Sequence, residues 1–264
     1  MFDLNLFQKE LSTSWLGREL FFFDELESTN TFAKNLERKT SKHGAIVVAN
    51  YQSKGRGQYD REWQSEPGLN LTFSIVFEPS KADRLTVLTL TSALAIAEII
   101  EELTNDSISI KWPNDVLVNE KKIAGLLTET LFNGDKLERV IVGIGLNVNQ
   151  ENFEKSLKDN ATSLRSITSK DTSRERLLAR LLSRIEFYYR FWDSKNIELI
   201  KKINKKFIGY GKWTNLVIND KPLEQKFKFL GINESGHMVV LNKDLEVNTF
   251  SYEQVRVHFD SKKG

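Results

Sequence analysis

Hydrophobic and polar positions change period along the chain, and those changes predict its elements. Residues 20–26 form an apolar run rich in phenylalanine, which predicts a first strand. Phe32, Ala33 and Leu36 follow at helical spacing behind Glu27-Ser28-Thr29-Asn30, where Ser28 or Thr29 is placed to cap a helix. Residues 45–51 predict a buried strand. Further on, Leu69, Leu71, Phe73, Ile75 and Phe77 alternate with Asn70, Thr72, Ser74, Val76 and Glu78, the period of a strand with one wet or partly wet face. Residues 83–103 predict a helix whose apolar side takes Leu85, Leu88, Ala95, Ile96, Ile99 and Leu103.

From Ser107 the pattern turns to strands. Ile108, Ile110 and Trp112 alternate, and residues 116–118 and 123–131 predict a pair across the Asn119-Glu120-Lys121 turn. Asn133-Gly134 predicts a second hairpin, between 123–131 and 137–148. Residues 173–207 predict a helical region capped by Ser173, with Leu177, Leu181, Ile185, Tyr188 and Trp192 stepping by three or four. Gly209 and Gly211 break it. Short strands are then expected at 213–218, 225–232, 237–242 and 255–259, with a turn at Asn233-Glu234-Ser235-Gly236. The fold class this predicts is α+β: successive antiparallel strands with helices set apart over residues 1–209, then a small β-barrel over 210–264.

Composition narrows the function classes. The formal charge of +2 over 264 residues is nearly balanced, so it calls for neither nucleic acid nor an anionic membrane. With no cysteine, disulfides, thiolate metal sites and a thiol nucleophile are all excluded. The most apolar segment, 85–100, is interrupted by threonines, Ser92 and Glu98, against a membrane span. The N-terminus lacks the pattern of a signal peptide, and a cytoplasmic location is expected.

Four polar segments carry candidate chemistry. Residues 52–63 read Gln-Ser-Lys-Gly-Arg-Gly-Gln-Tyr-Asp-Arg-Glu-Trp, with glycines that allow close backbone approach and arginines suited to phosphate or carboxylate. Lys111-Trp112-Pro113-Asn114-Asp115 places a lysine, an amide and a carboxylate at a strand exit. In Lys122-Ile123-Ala124-Gly125-Leu126-Leu127-Thr128-Glu129 a lysine starts a strand that Gly125 interrupts. Gly143-Ile144-Gly145-Leu146-Asn147 ends an apolar strand with small residues and an amide. Together they supply cations for phosphates, amides for polar recognition and glycines for backbone contact, the inventory of an acyl-adenylating site.

In their order these segments, with Ser28-Thr29-Asn30, resemble the motifs of the biotin protein ligases, and the resemblance covers nearly the whole chain. It implies a mixed-sheet catalytic domain followed by an SH3-like barrel. It also implies an ATP-dependent ligase that makes biotinyl-5′-AMP with Mg²⁺ and transfers biotin to a lysine of a biotin carboxyl carrier protein. Carried over by position, Lys122, Lys111 and Arg56 would be catalytic. Ser28, Thr29, Asn30, Gln52, Arg56, Gly57, Gln58, Lys122 and Gly125 would bind biotin. Gly55, Arg61, Trp63, Lys111, Asn114 and Asn147 would bind ATP or the adenylate, and Asp115 would hold Mg²⁺. One departure stands out: Gln58, Tyr59 and Asp60 replace the family's usual Arg-Arg-Gly, removing two cations and adding a carboxylate.

Two other readings use the same residues. A lipoate–protein ligase shares the implied fold, but the glycine-arginine loop and the Lys-Trp-Pro-Asn-Asp motif favour biotin. A biotin-sensing DNA-binding repressor would need a winged-helix module, and about two dozen residues precede Ser28, short of the size expected for one. The expected partner is therefore the carrier domain, with no nucleic acid or membrane, for a monomer or weak homodimer.

Overall fold

The computed structural model describes residues 2–37, 43–58, 61–79, 82–218 and 221–258. Seven strands form one sheet: β1 (Leu20–Leu26), β2 (Ile46–Gln52), β3 (Leu71–Phe77), β4 (Ile108–Lys111), β5 (Asp115–Val118), β6 (Lys121–Asn133) and β7 (Lys136–Leu146). Their spatial order is β1-β2-β3-β7-β6-β5-β4. Only β1 and β2 run parallel; every other ladder of this sheet is antiparallel, so it is mixed as expected. Both turn signals hold. Asn119 and Glu120 adopt φ of 49° and 67° between β5 and β6, and Gly134 has φ 59° in the β6–β7 turn, where Asn133 pairs with Lys136.

The two faces of the sheet are covered differently. One packs on α3 (Leu85–Thr104), α5 (Arg174–Asp193) and their neighbours, burying Phe73, Ile75, Phe77, Leu88, Leu94 and Leu182 in the main core. The other carries α2 (Thr29–Asn35), under which Ala33, Val47, Val76 and Ile141 form a smaller core. This corrects the expectation of a wet face on β3. Thr72 and Ser74 are buried, and they are polar because they hydrogen-bond, Thr72 to Ala49 O (2.7 Å) and Ser74 to α2.

Sequence periodicity missed some boundaries. Residues 173–207 are two helices, not one: α5 ends at Asp193, Lys195 takes φ 53°, and Asn196 caps α6 (Ile197–Lys206). A short α1 (Leu4–Glu10) and α4 (Leu164–Thr168) were not foreseen. Glu186 on α5 holds the N-terminal segment down, its carboxylate accepting from the backbone N–H groups of Ser14, Trp15 and Leu16 at 2.8–3.0 Å.

Beyond Gly211, β8 (Trp213–Ile218), β9 (Lys221–Ile232), β10 (Met238–Leu241), β11 (Val247–Phe250) and β12 (Val255–His258) make a separate five-stranded antiparallel sheet. β11 is an addition to the four strands expected. The turn at 233–236 docks this sheet onto the first: Trp112 Nε1 donates to Gly236 O (3.2 Å) and Arg84 Nε to Glu234 O (2.9 Å). The large unit and small antiparallel unit together form the α+β architecture expected.

Candidate active site

One transverse row of register partners organises the site. Lys111 pairs with Asp115, Asp115 with Gly125, Gly125 with Gly145, Gly145 with Thr72 and Thr72 with Ala49, a line crossing six strands. Directly opposed residues share a face, so three motifs far apart in sequence meet on the α2 side of the sheet. Small residues there leave a trough. It opens into a cavity of about 490 Å³ lined by every site residue expected above except Gly55.

Gly55 works from behind the wall. A Cβ on it would meet Trp63 O at 2.4 Å, and Trp63 N donates to Gly55 O at 2.9 Å. Arg56 bridges Glu62, and Gly57 N donates to Arg61 O at 2.6 Å, so 55–57 and 61–63 lie antiparallel as a closed pair. Its end is the Trp63 indole, laid over the glycine pair of the row. A Cβ on Gly145 would stand 2.3 Å from Trp63 Cε2, and one on Gly125 would stand 3.2 Å from Cζ3. None of Gly55, Gly57, Gly125, Gly143 and Gly145 has positive φ. They serve close approach rather than unusual backbone. Tyr59 and Asp60 lie outside the described residues.

At the β2–β3 side of the trough the groups are neutral donors and acceptors. Ser28 caps α2, its hydroxyl accepting from Thr31 N at 3.4 Å. Thr29 donates twice to Gln52 Oε1, from N (2.7 Å) and Oγ1 (3.0 Å). That fixes the Gln52 amide with its nitrogen turned away from Thr29. Asn30 is already fully used: Nδ2 donates to Leu127 O (3.2 Å) and Glu129 Oε2 (2.8 Å), and Oδ1 accepts from Ser74 (2.6 Å). Gly143 makes room for it, since a Cβ there would meet Asn30 Oδ1 at 2.2 Å.

At the β4–β6 side the site is charged. Ile123 is an extra residue in β6 where the register to β5 shifts, a bulge that re-aims the neighbouring Lys122. Lys122 Nζ lies 2.6 Å from Asp115 Oδ1 and 5.6 Å from the centre of the Trp63 ring. The contact with Asp115 lies at ion-pair distance without hydrogen-bond geometry, so charge attraction holds it. Lys111 lines the cavity half-buried, and among the described residues its ammonium has no ion-pair partner. Asn114 Nδ2 donates to Leu126 O at 2.6 Å, and Asn147 Nδ2 to Thr162 O at 3.0 Å, each tying a site amide to the backbone beside it. Among the described residues, the buried Trp63 Nε1 has no hydrogen-bond partner.

Several lining residues carried no motif. Phe153, Leu157, Asn160 and Ala161 come from the segment after β7, which pairs with Lys122 through Lys122 N to Asn160 O (2.7 Å). Tyr252 and Val255 reach the cavity from the small sheet. Glu129 and Ser74 support the site from beneath. Ser74 had a sequence signal in the polar alternation of β3, and Glu129 ended the Lys122–Glu129 segment without an assigned role.

The described residues contain no group of three His, Cys, Asp or Glu that could cage a metal. Mg²⁺ bound with phosphates needs only one or two protein carboxylates beside its waters. Asp115 is of that kind, although Lys122 already neutralises it here.

Comparison with known proteins gives concordant matches. Residues 22–147 match the model of the biotin/lipoate A/B protein ligase family. The bifunctional ligase/repressor BirA of Bacillus subtilis is 35% identical over 236 residues, 87% of this chain and 71% of that protein. The biotin–[acetyl-CoA-carboxylase] ligase of Paracoccus denitrificans is 37% identical over 125 residues, 46% of this chain and 51% of the relative. The solved biotin protein ligase of Aquifex aeolicus in complex with biotin and ATP superposes with a TM-score of 0.79 at 32% identity, covering 91% of this chain and 99% of that one.

Proposed function

This chain belongs to the biotin protein ligase family, and we propose that it joins biotin to ATP as biotinyl-5′-AMP, then passes the acyl group to a lysine of a biotin carboxyl carrier protein. The observation that carries this reading is the row Lys111-Asp115-Gly125-Gly145-Thr72, which puts neutral recognition and fixed cations on one trough floor.

A ureido ring offers two N–H donors and one carbonyl acceptor. The Ser28 hydroxyl and the free amide nitrogen of Gln52 suit the carbonyl, and the small floor of Gly143 and Gly145 leaves room for a flat bicycle. Biotin's carboxylate then extends toward Lys122, which exchanges Asp115 for it. In the first step a carboxylate oxygen attacks the α-phosphorus of ATP, and pyrophosphate leaves. Negative charge builds on the phosphoryl oxygens, where Lys122, Lys111, Arg56 and Arg61 act as preorganised counter-charges. Asp115 is the carboxylate that would hold Mg²⁺ brought with ATP, and the ion would supply further charge neutralisation. In the second step a neutral carrier lysine attacks the acyl carbon and AMP leaves. The paired pieces 55–57 and 61–63, anchored by Trp63, would shield the anhydride from water meanwhile.

The test is incorporation of labelled biotin. With ATP, Mg²⁺ and a biotin carrier domain, label should appear on the carrier lysine. Label from lipoate but not from biotin would overturn the reading in favour of the lipoate branch of the same family.

A further inference from the structure

Glu129 closes the Lys122–Glu129 segment but carries no expected site role, yet its carboxylate ties three of the site's parts together. It lies on β6 four residues beyond Gly125 and so on the same face of the sheet. Asn30 Nδ2 donates to it from the first turn of α2 at 2.8 Å, Lys34 Nζ from the last turn at 2.5 Å, and Arg56 Nη2 from the glycine-arginine segment at 3.2 Å. The Glu129 side chain is only 17% exposed. Burial opposes its charge, but Lys34, Asn30 and Arg56 more than offset this and hold the carboxyl below its ordinary range.

Arg56 is the part of this arrangement that the glycine-arginine segment contributes. Its Nη2 is shared between Glu129 and Thr31 Oγ1 (3.1 Å). Among the described residues, nothing engages its Nε or Nη1. The guanidinium is a rigid plane, so fixing one nitrogen fixes where the other two can point. Arg56 also lines the cavity, whereas Glu129 does not.

We infer that Glu129 is a positioning residue for the ligation reaction: it pins one nitrogen of Arg56 from outside the cavity so that the rest of the guanidinium faces the anionic substrate within. This rests on the function proposed above. It differs from a purely structural role, in which Glu129 would only fasten α2 to β6 through Lys34 and Asn30.

A double-mutant cycle separates the two. The readouts are the amount of biotinyl-adenylate formed in a single turnover, its rate of release, and the melting temperature. Glu129→Gln should release the adenylate about tenfold faster, the scale of one partly exposed charge-assisted contact. Arg56→Ala should release it at least as fast, and the double variant no faster than Arg56→Ala alone. Lys34→Met should leave release near the parent rate. Glu129→Asp, which keeps the charge on a shorter stem, should fall between parent and Glu129→Gln, and serves in the cycle if Glu129→Gln does not fold. Additive effects of Glu129 and Arg56, or a Lys34→Met release rate matching Glu129→Gln, would overturn the inference. A parent protein that forms no biotinyl-adenylate would instead contradict the function itself.

Discussion

Lys122 and Asp115 hold each other at 2.6 Å across neighbouring strands, with the bulge at Ile123 turning the lysine into the cavity. The pair is half-exposed, so it contributes little to stability. Under the proposed function, its value lies in keeping an ammonium in place where a substrate carboxylate would arrive.

Replacing Lys122 or Lys111 by alanine should therefore lower the adenylation rate by about 10²–10³, as for loss of one preorganised donor. The melting temperature should stay within a few degrees of the parent, since neither side chain belongs to the core. Pre-steady-state pyrophosphate release with a thermal scan checks both. A normal rate, or a collapsed fold, for Lys122→Ala would count against the assignment.

Gly145→Ala tests the seat of Trp63. The added methyl would press on the indole at 2.3 Å, and the ring must lift or tilt. Strain of this kind costs about 1–3 kcal/mol, so biotin KM should rise by at least tenfold while the protein still folds. Trp63 emission, taken as the difference from Trp63→Phe, should shift red. An unshifted spectrum with an unchanged KM would show that the indole does not need the glycine floor.

Arg56→Ala should let biotinyl-adenylate escape, because the two arginines usual in this loop are replaced here by Gln58 and Tyr59. Free adenylate released per carrier modified is the measure, with total adenylation recorded alongside. Full retention would mean that this segment holds its intermediate by other groups.

Acid should act on the fold at two places outside the site. His43 is half-buried against Trp15, with ring centroids 4.4 Å apart, and its Nδ1 accepts from Glu78 N at 3.0 Å. Burial, opposed by Glu78 and Asp193, lowers its pKa below 6.5. The fold favours the neutral ring, so this contribution is present above pH 6.5 and is lost as pH falls toward the lowered value. Glu186 is buried, and burial is outweighed by the N–H groups of Leu16, Ser14 and Trp15, which depress its pKa. Its contribution is present above the ordinary value of 4.5 and is lost as pH falls through the lowered one. Melting temperature against pH should thus decline in two stages. His43→Phe should flatten the first and Glu186→Gln the second. Variant curves parallel to the parent throughout would refute the assignment.

Much of this site was legible because its chemistry uses residues that stand out locally. Glycines inside strands, a lysine beside a Pro-Asn-Asp turn and a polar alternation on β3 are each unusual enough to notice in one dimension. The trough floor could not be read that way, since the pairing of Gly125 with Gly145 and of Gly145 with Thr72 depends on register. Glu129 stood at the end of a candidate segment, but its role was hidden for a similar reason: a glutamate in a strand looks like solvent-facing charge until Arg56, Lys34 and Asn30 are folded around it. Phe153, Leu157 and Tyr252 look like ordinary apolar loop residues until two units close on one cavity. The break at Lys195-Asn196 was missed because helical spacing continues past it, while the signal is a single left-handed residue and an asparagine cap.

The central claim is that the row from Lys111 to Thr72 joins biotin to an adenylyl group. Exchange of labelled pyrophosphate into ATP measures that step alone, with no carrier protein present. The parent chain should catalyse exchange only when biotin and Mg²⁺ are supplied, lipoate should not replace biotin, and Lys122→Ala should abolish most of it. Exchange that proceeds without biotin, that runs equally well with lipoate, or that survives unchanged in Lys122→Ala would contradict the account.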